Sequence, residues 1–223
     1  MKHDTSAGRL GRPCAKRHRG HGLARLRSCA TMIGLLAIVN PSAAEPFKLS
    51  PEQIATLATG SAVVDVTADP AGGTGVVRAA IDIPAAPDLV WATMIDCERA
   101  PRFVKGLKSC RVLERDDAGL WDVREHIVQW LFLLPSTRSE FRSEYVQERS
   151  IRFQRTGGDL KALDGEWQLI PLKQGRGTRL TYVARVDPGL PLPDAMVRAA
   201  IEADLPRTLE ALRHEAVSAR PGR

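Results

Sequence analysis

The sequence is poor in the residues that usually carry catalysis or bind metals. Of its five histidines, only His126 and His214 lie beyond the first 44 residues. A zinc site usually needs three or four His, Cys or carboxylate ligands, so neither a metal nor another cofactor is predicted. The chain also lacks Gly-x-Ser-x-Gly, His-Glu-x-x-His and the dinucleotide-binding fingerprint. These absences argue against the common hydrolase, metalloprotease and nucleotide-binding classes.

No apolar run is long enough to cross a bilayer, which needs about 20 residues. The apolar segment at residues 30–39, ATMIGLLAIV, follows a basic stretch and precedes Ser42, Ala43 and Ala44. Small residues at these positions are what a signal peptidase accepts. We therefore predict that residues 1–44 are a signal peptide cleaved after Ala44, and that the protein is periplasmic or secreted. The alternative is an uncleaved membrane anchor.

The basic charge of the chain belongs to this leader. The whole sequence has 32 basic and 26 acidic residues, and residues 1–44 contain eight of the first and one of the second. The remaining 24 basic and 25 acidic residues form no basic stripe, so no nucleic-acid partner is predicted. The length that remains suits a single domain with a substantial core.

Only two cysteines, Cys97 and Cys110, lie beyond the leader. An even pair in an oxidising compartment predicts a disulfide. A loop of this size would stabilise the fold by about 3 kcal/mol on the chain-entropy model. Neither residue belongs to a Cys-x-x-Cys motif, so a redox enzyme is not indicated.

Hydrophobic periodicity predicts an α+β fold. After an N-terminal helix–strand extension at 45–73 and a first core strand near 77–83, short strands follow one another at 108–115, 119–129, 137–148, 150–156, 160–171 and 178–187. Turn residues separate them, which favours antiparallel hairpins. A helix at 194–218 has one apolar face, which carries Val197, Ile201, Leu205, Leu209, Leu212 and Ala216. This helix alone is long enough to cover the sheet, so we predict a helix-grip: a curved antiparallel sheet wrapped around a long C-terminal helix. The domain is predicted to span 74–218, with a tail at 219–223.

The residues after the first core strand carry a family resemblance. Residues 77–104 read VRAAIDIPAAPDLVWATMIDCERAPRFV: a strand, a proline turn and a short helix containing Val-Trp and Asp96. This stretch resembles the opening of START-like domains of the SRPBCC superfamily, closest to the polyketide cyclase/dehydrase and coenzyme Q-binding branch. The resemblance covers residues 74–216 and implies short helices after the first core strand and a closed cavity for a hydrophobic small molecule. Asp96 matches an Asp of the family and is interpreted as a structural cap.

Strand alternation predicts which side chains face the cavity. On strand 119–129, Glu125 is in phase with the apolar Trp121, so both are predicted to point inward, and His126 outward. Desolvation would then raise the pKa of Glu125, unless it lies at an edge or has a partner. Gly165, between large neighbours, is predicted to leave space under the helix. The predicted ligand-binding residues are Phe103, Trp121, Glu125, Phe141, Tyr145, Trp167, Tyr182, Ile201 and Leu205, with core packing as the alternative for each aromatic residue; no catalytic residue is predicted.

Five consecutive apolar residues lie where a hairpin should turn: Trp130, Leu131, Phe132, Leu133 and Leu134. Exposed apolar patches usually meet a membrane or a partner. These residues are therefore interpreted either as a cavity rim or a tip that contacts a membrane surface or a protein, or as a buried continuation of the strand.

The predicted function is the non-catalytic binding of a hydrophobic ligand by an exported protein. The ligand would be a lipid, a quinone or a polyketide-like molecule, held between the sheet and the C-terminal helix. A cyclase or dehydratase needs a placed acid or base, and only Glu125 and the tyrosines offer one. The alternatives are such an enzyme, acting on an aromatic or polyketide-like substrate, and an interaction module without a ligand.

Overall fold

The computed structural model describes residues 47–70, 72–129 and 136–219. The predicted leader and the 130–134 segment lie outside these ranges. The elements, in chain order, are α1 (Pro51–Ala58), β1 (Val63–Thr67), β2 (Gly75–Ile83), α2 (Pro87–Ile95), α3 (Ala100–Phe103), β3 (Leu107–Arg115), β4 (Trp121–Val128), β5 (Thr137–Val146), β6 (Ser150–Gly158), β7 (Ala162–Leu172), β8 (Gly177–Asp187) and α4 (Asp194–Ser218).

The strands form one antiparallel sheet in the order β1-β2-β8-β7-β6-β5-β4-β3. From β3 to β8 each strand pairs with the next in sequence, which confirms the predicted hairpins. The first core strand, β2, pairs with the last strand, β8. This pairing joins the first core strand to the last strand near the β1 edge of the sheet.

The N-terminal extension begins with a well-capped helix. The Ser50 hydroxyl accepts a hydrogen bond from the Gln53 backbone N–H at 3.3 Å, and the Gln53 side chain accepts one from the Ser50 N–H at 2.8 Å. This reciprocal capping box satisfies two N–H groups that the helix itself leaves unpaired. Gly60 follows the helix with a φ of 89°, a conformation that glycine adopts without strain. The next strand, β1, pairs with β2 and so belongs to the same sheet.

The sheet has two chemically distinct faces. The inner face carries Ile81, Leu169 and Leu180, which form the core together with Leu209 and Leu212 of α4; the opposite face is called the outer face. Leu209 and Leu212 are almost fully buried, and each such side chain contributes about 1.5–3 kcal/mol of hydrophobic stabilisation. The helix also packs against α2, α3, β1 and β2. A curved sheet gripping a C-terminal helix is thus the observed architecture, as predicted.

Two short helices, α2 and α3, connect β2 to β3 over the same side of the sheet. Asp96 lies between them, and its carboxylate accepts hydrogen bonds from the backbone N–H groups of Glu98 and Arg99 at 3.0 and 3.2 Å. Asp96 is therefore a structural cap, as predicted. Among the residues that the structure describes, no helix has the length and apolar character needed to cross a membrane. No group of His, Cys, Asp and Glu side chains within these ranges is arranged to hold a metal ion.

Candidate ligand-binding site

Four aromatic rings form a continuous row on the inner face. Phe141 of β5 contacts Phe153 of β6 edge to face, with ring centroids 6.4 Å apart. Phe153 stacks on Tyr182 of β8 at 6.0 Å, and Tyr182 contacts Trp167 of β7 at 4.1 Å. The row therefore crosses four neighbouring strands and presents a broad apolar surface, of the kind on which apolar ligands bind.

Neighbouring side chains bury only part of this aromatic row. Phe153 is buried, whereas the other three aromatic residues keep accessible surface. Ile201 and Leu205, on the N-terminal half of α4, pack against the row and are themselves only partly buried. The structure thus brings together most of the predicted apolar ligand contacts, under the half of α4 that is less tightly packed.

Tyr182 is both deep and accessible. Burial raises the pKa of its hydroxyl well above the ordinary value, and the negative charge of Asp164 raises it further. Nevertheless, part of the residue's surface remains accessible. No hydrogen bond to its hydroxyl is found among the described residues. A deep side chain with accessible surface indicates free space beside it.

A buried ion pair lies on the inner face next to the row. The Arg124 guanidinium donates to both carboxylate oxygens of Asp122 through Nε, at 3.0 Å each, and to one of them through Nη2 at 2.9 Å. Nη2 also donates to the Tyr145 hydroxyl at 2.9 Å and to the Ile95 carbonyl at 2.8 Å. The ion pair therefore links β4 and β5 to the end of α2.

Arg124 and Tyr145 of this network both keep their protons near neutral pH. Burial opposes the charge on Arg124, but hydrogen bonds to Asp122 and the negative charge of that carboxylate outweigh it, so the Arg124 pKa is raised. Burial is also the main cause that raises the pKa of Tyr145, whose hydroxyl stays protonated. The Tyr145 ring packs edge-on against Trp91 of α2 at 5.7 Å. Arg124 and Asp122 are thus a charged pair held by neutral neighbours.

His126 follows Arg124 on the same face of β4. Its ring meets Phe141 edge to face at 4.8 Å, which places it at the end of the aromatic row. Burial, followed by the charge of Arg124, lowers the pKa of His126 to about 4. The imidazole is therefore neutral near pH 7. Its Nε2 atom is buried without a hydrogen-bond partner in the described ranges, which is uncommon for a buried polar atom.

Comparison with known proteins identifies the family to which the chain belongs. Residues 83–213, more than half of the chain, match the family model described as polyketide cyclase / dehydrase and lipid transport. The chain belongs to this family. Proteins of this family hold hydrophobic small molecules, and the apolar inner-face row agrees with that chemistry. No curated protein matches the chain.

Solved structures share the fold of this family member at low sequence identity. A STAR-related lipid transfer protein fragment from Xanthomonas axonopodis is 17% identical, with a TM-score of 0.61 over 70% of this chain and 94% of that one. The Zhui aromatase/cyclase from a Streptomyces species is 21% identical, with a TM-score of 0.55 over 66% and 98%. A START superfamily protein from Mycobacterium smegmatis is 20% identical, with a TM-score of 0.56 over 64% and 97%. At such identities the likeness shows the fold alone.

The predicted inward orientation of Trp121 and Glu125 is wrong. Both lie on the outer face, where the Arg142 guanidinium covers the Trp121 ring at 3.8 Å. Glu125 accepts hydrogen bonds from Arg111, at 2.5 Å, and from Arg138, at 2.8 Å. It has little accessible surface because these two partners cover it. Its hydrogen bonds to Arg138 and Arg111 lower its pKa, where desolvation had been expected to raise it.

The pairing of β4 with β5 explains this error. Arg124 lies opposite Phe141, and His126 lies opposite Ser139. Residues directly opposite each other in an antiparallel pair point to the same face, so the polar residues of β4 share the inner face with Phe141 and Tyr145. The alternation rule assigns apolar residues to the inside, and it fails on a strand that presents its polar residues inward. The inward positions of β5 were correctly predicted, so pairing β4 with β5 in the right register would have given the inward positions of β4 as well.

The other predicted site residues divide between two roles. Phe141, Tyr145, Trp167 and Tyr182 all lie on the inner face. Phe103 is buried in the core with Leu107, under the C-terminal half of α4. Asp122, Arg124 and His126 were missed as inner-face residues by sequence reasoning.

The predicted space at Gly165 is absent. Gly165 pairs with Ala184 of β8, and a Cβ atom at residue 165 would collide with the Val183 carbonyl and with Ala184. The glycine permits close approach of two backbones, which is a common reason for glycine inside a strand. A larger side chain at residue 165 would therefore force backbone atoms to move.

Cys97 and Cys110 are paired in the structure, with Cα atoms 5.4 Å apart. That separation lies in the normal range for a disulfide. Cys110 of β3 lies opposite His126, so the pair connects the segment after α2 to the strand beside the polar network.

A separate open pocket of about 710 Å³ lies on the outer face. It is bordered by the N-terminal extension at Phe47 and Gln53 and by charged side chains of the sheet, including Arg78 and Asp164. Its lining mixes both charge signs and lies away from the aromatic row.

Proposed function

We propose that this protein is an exported, non-catalytic binding protein for a hydrophobic small molecule. The ligand, a lipid, quinone or polyketide-like molecule, would lie on the inner face between the aromatic row and α4. The proposal depends chiefly on Tyr182, which is deep in the protein yet accessible. In a closely packed core such a side chain would be sealed, as Phe153 is.

Polar groups at the end of the row would orient the ligand. The buried Arg124–Asp122 pair, Tyr145 and the unpartnered Nε2 of His126 lie at the Phe141 end. Binding sites for small molecules commonly combine an apolar lining with a few such polar groups. This arrangement supports a ligand with an apolar body and one polar end.

Native mass spectrometry of the full protein purified from its host tests the proposal. We expect a bound small molecule that organic solvent extracts and that fractionates as apolar. Recovery of the protein free of any ligand, together with failure to bind apolar fluorescent probes, would support an interaction module instead.

A matched pair of variants locates the site. Trp167→Leu removes a ring of the aromatic row, and we expect probe affinity to fall about tenfold, since an aromatic contact contributes about 1 kcal/mol or more. Trp121→Leu changes the same residue type on the outer face and should leave affinity unchanged. An equal loss in both variants would place the site elsewhere.

An enzyme of the cyclase or dehydratase type is the second candidate, and one observation favours it. The unpartnered His126 Nε2 and the charged Arg124 share the inner face, and together they could move a proton and stabilise negative charge. However, a His126 pKa of about 4 is poorly matched to proton transfer near neutral pH. Turnover of an aromatic or polyketide-like substrate that falls at least about a hundredfold in His126→Gln, with binding retained, would favour the enzyme.

We also propose, on sequence grounds alone, that the 130–134 segment contacts a membrane surface. In a vesicle co-sedimentation assay, Trp130→Ser combined with Leu133→Ser should reduce the bound fraction. The control is Leu120→Ser, which alters a 62% exposed leucine elsewhere on the surface. Equal binding of the protein and both variants would contradict the proposal.

A further inference from the structure

We infer that the inner-face site selects ligands whose polar end is uncharged, and that Asp122 sets this selectivity by neutralising Arg124. The inference rests on the proposed function and specifies the ligand class. The site would accept a ligand with a hydroxyl or a ketone at its polar end, and it would disfavour free carboxylates such as fatty acids.

The buried pair carries one positive and one negative charge. The Arg124 and Asp122 side chains are 8% and 3% exposed, and three hydrogen bonds of 2.9–3.0 Å join them. The pair therefore adds no net charge to the inner face. A ligand carboxylate near Arg124 would also lie near the Asp122 carboxylate, and repulsion between like charges is strong where water is largely excluded.

The groups around the pair are neutral. Tyr145 keeps its proton, Ser139 and Ser143 are buried hydroxyl residues, and His126 is uncharged near pH 7. None of these groups supplies a positive charge to compensate a ligand anion. This part of the inner face thus offers hydrogen bonds without net charge.

Arg124 and His126 keep free hydrogen-bonding capacity. Arg124 uses Nε and Nη2 in its hydrogen bonds, and Nη1 donates none to the described residues. His126 Nε2 has no partner there either. An N–H donor and an imidazole nitrogen two residues apart on one face suit a hydroxyl, which accepts from one and donates to the other, or a carbonyl.

Arg155 is the nearby cation that has to be considered. It lies opposite Phe141 and is in phase with Phe153, but it is exposed, and its guanidinium donates to the Gly158 carbonyl at 2.8 Å. Water and salt screen an exposed charge. Arg155 therefore does not replace the charge that Asp122 cancels.

Two probes with the same apolar body test the inference in the unaltered full-length protein. 1-Pyrenebutanol carries a hydroxyl, and 1-pyrenebutyrate carries a carboxylate that is ionised at about pH 7.5. Fluorescence titration should give at least about tenfold tighter binding for the alcohol. Equal affinities, or tighter binding of the carboxylate, would overturn the selectivity while leaving apolar binding intact.

Asp122→Asn should then admit the anion. Removing the carboxylate leaves Arg124 with an uncompensated charge, so pyrenebutyrate should bind about tenfold tighter than in the unaltered protein, while pyrenebutanol changes less than about threefold. Glu125→Gln is the matched control, because it removes one negative charge from the same strand on the outer face. An equal gain of pyrenebutyrate affinity in both variants would attribute the effect to overall charge and overturn the role of Asp122.

The remaining outcomes are also decisive. If Asp122→Asn does not fold, as judged by circular dichroism and cooperative unfolding, the affinity ratio of the two probes in the unaltered protein decides the selectivity. Binding of neither probe, with no ligand recovered on purification, contradicts the proposed function and the selectivity with it.

Discussion

Arg124 is charged and nearly buried, so the residues that hold it matter for the stability of the fold. Its guanidinium donates through Nε and Nη2 to Asp122, Tyr145 and the Ile95 carbonyl. A buried ion pair of this kind contributes little over apolar packing, but breaking it leaves an uncompensated charge. The pair proposed to select the ligand therefore also matters for stability.

Arg124→Met should lower the free energy of unfolding by about 3–5 kcal/mol, because Asp122 would remain buried without its partner. Arg111→Met is the control: Arg111 is 66% exposed and pairs with Glu125 on the outer face, so its loss should be much smaller. Urea denaturation measures both. Similar losses in the two variants would contradict the distinction between the faces.

His126 should make the protein less stable in acid. Its folded-state pKa of about 4 lies below the ordinary 6.5, so the unfolded chain binds a proton more readily between these values. The free energy of unfolding should therefore fall as pH drops from about 6.5 to 4, with a share from His126 of about 3 kcal/mol.

The variant His126→Gln should lose this share, whereas His214→Gln, which alters an exposed residue, should keep it. Denaturant titrations across this pH range give the comparison. An unchanged pH dependence in His126→Gln would show that the imidazole is solvated in the folded protein.

At the scale of the elements, β4 is unusual because its more polar side faces the helix. Its outer side is apolar in part, with Trp121 covered by Arg142. Charged side chains from three strands pair across the rest of that surface: Arg111, Glu125, Arg138 and Glu140. This part of the outer face is thus a solvated charge network.

The Cys97–Cys110 pair ties the connection after α2 to β3. Replacing both residues with serine should lower the free energy of unfolding by about 3 kcal/mol, because the 13-residue separation closes a loop in the unfolded chain. Peptide mapping without reduction should recover the two residues linked. Alkylation of both cysteines before any reduction would contradict the disulfide.

For the molecule as a whole, the proposed export would decide the compartment in which a ligand is met. We expect N-terminal sequencing of the processed protein to begin at Glu45, since Ser42, Ala43 and Ala44 form the best site after the apolar segment. Recovery of the full-length chain from the cytoplasm alone would contradict export, and with it the oxidising environment expected for the cysteines.

Much of the fold could be predicted from local sequence. The strand predicted at 137–148 is observed as Thr137–Val146, and the final helix runs from Asp194 to Ser218, as predicted. The Asp96 cap was also recognised correctly. These features depend on neighbouring residues alone, through backbone hydrogen bonds and the periodicity of apolar side chains.

The sequence by itself determined the elements, their hairpin order and the helix that covers the sheet, because alternation, turn residues and caps act over short distances. Tertiary structure decided which side of β4 faces the ligand site, since that depends on its register with β5. It also decided that Gly165 marks a close backbone contact rather than space. Asp122, Arg124 and His126 became a candidate site only when the sheet and α2 enclosed them, because burial and partners from other elements set the charges of Arg124 and His126.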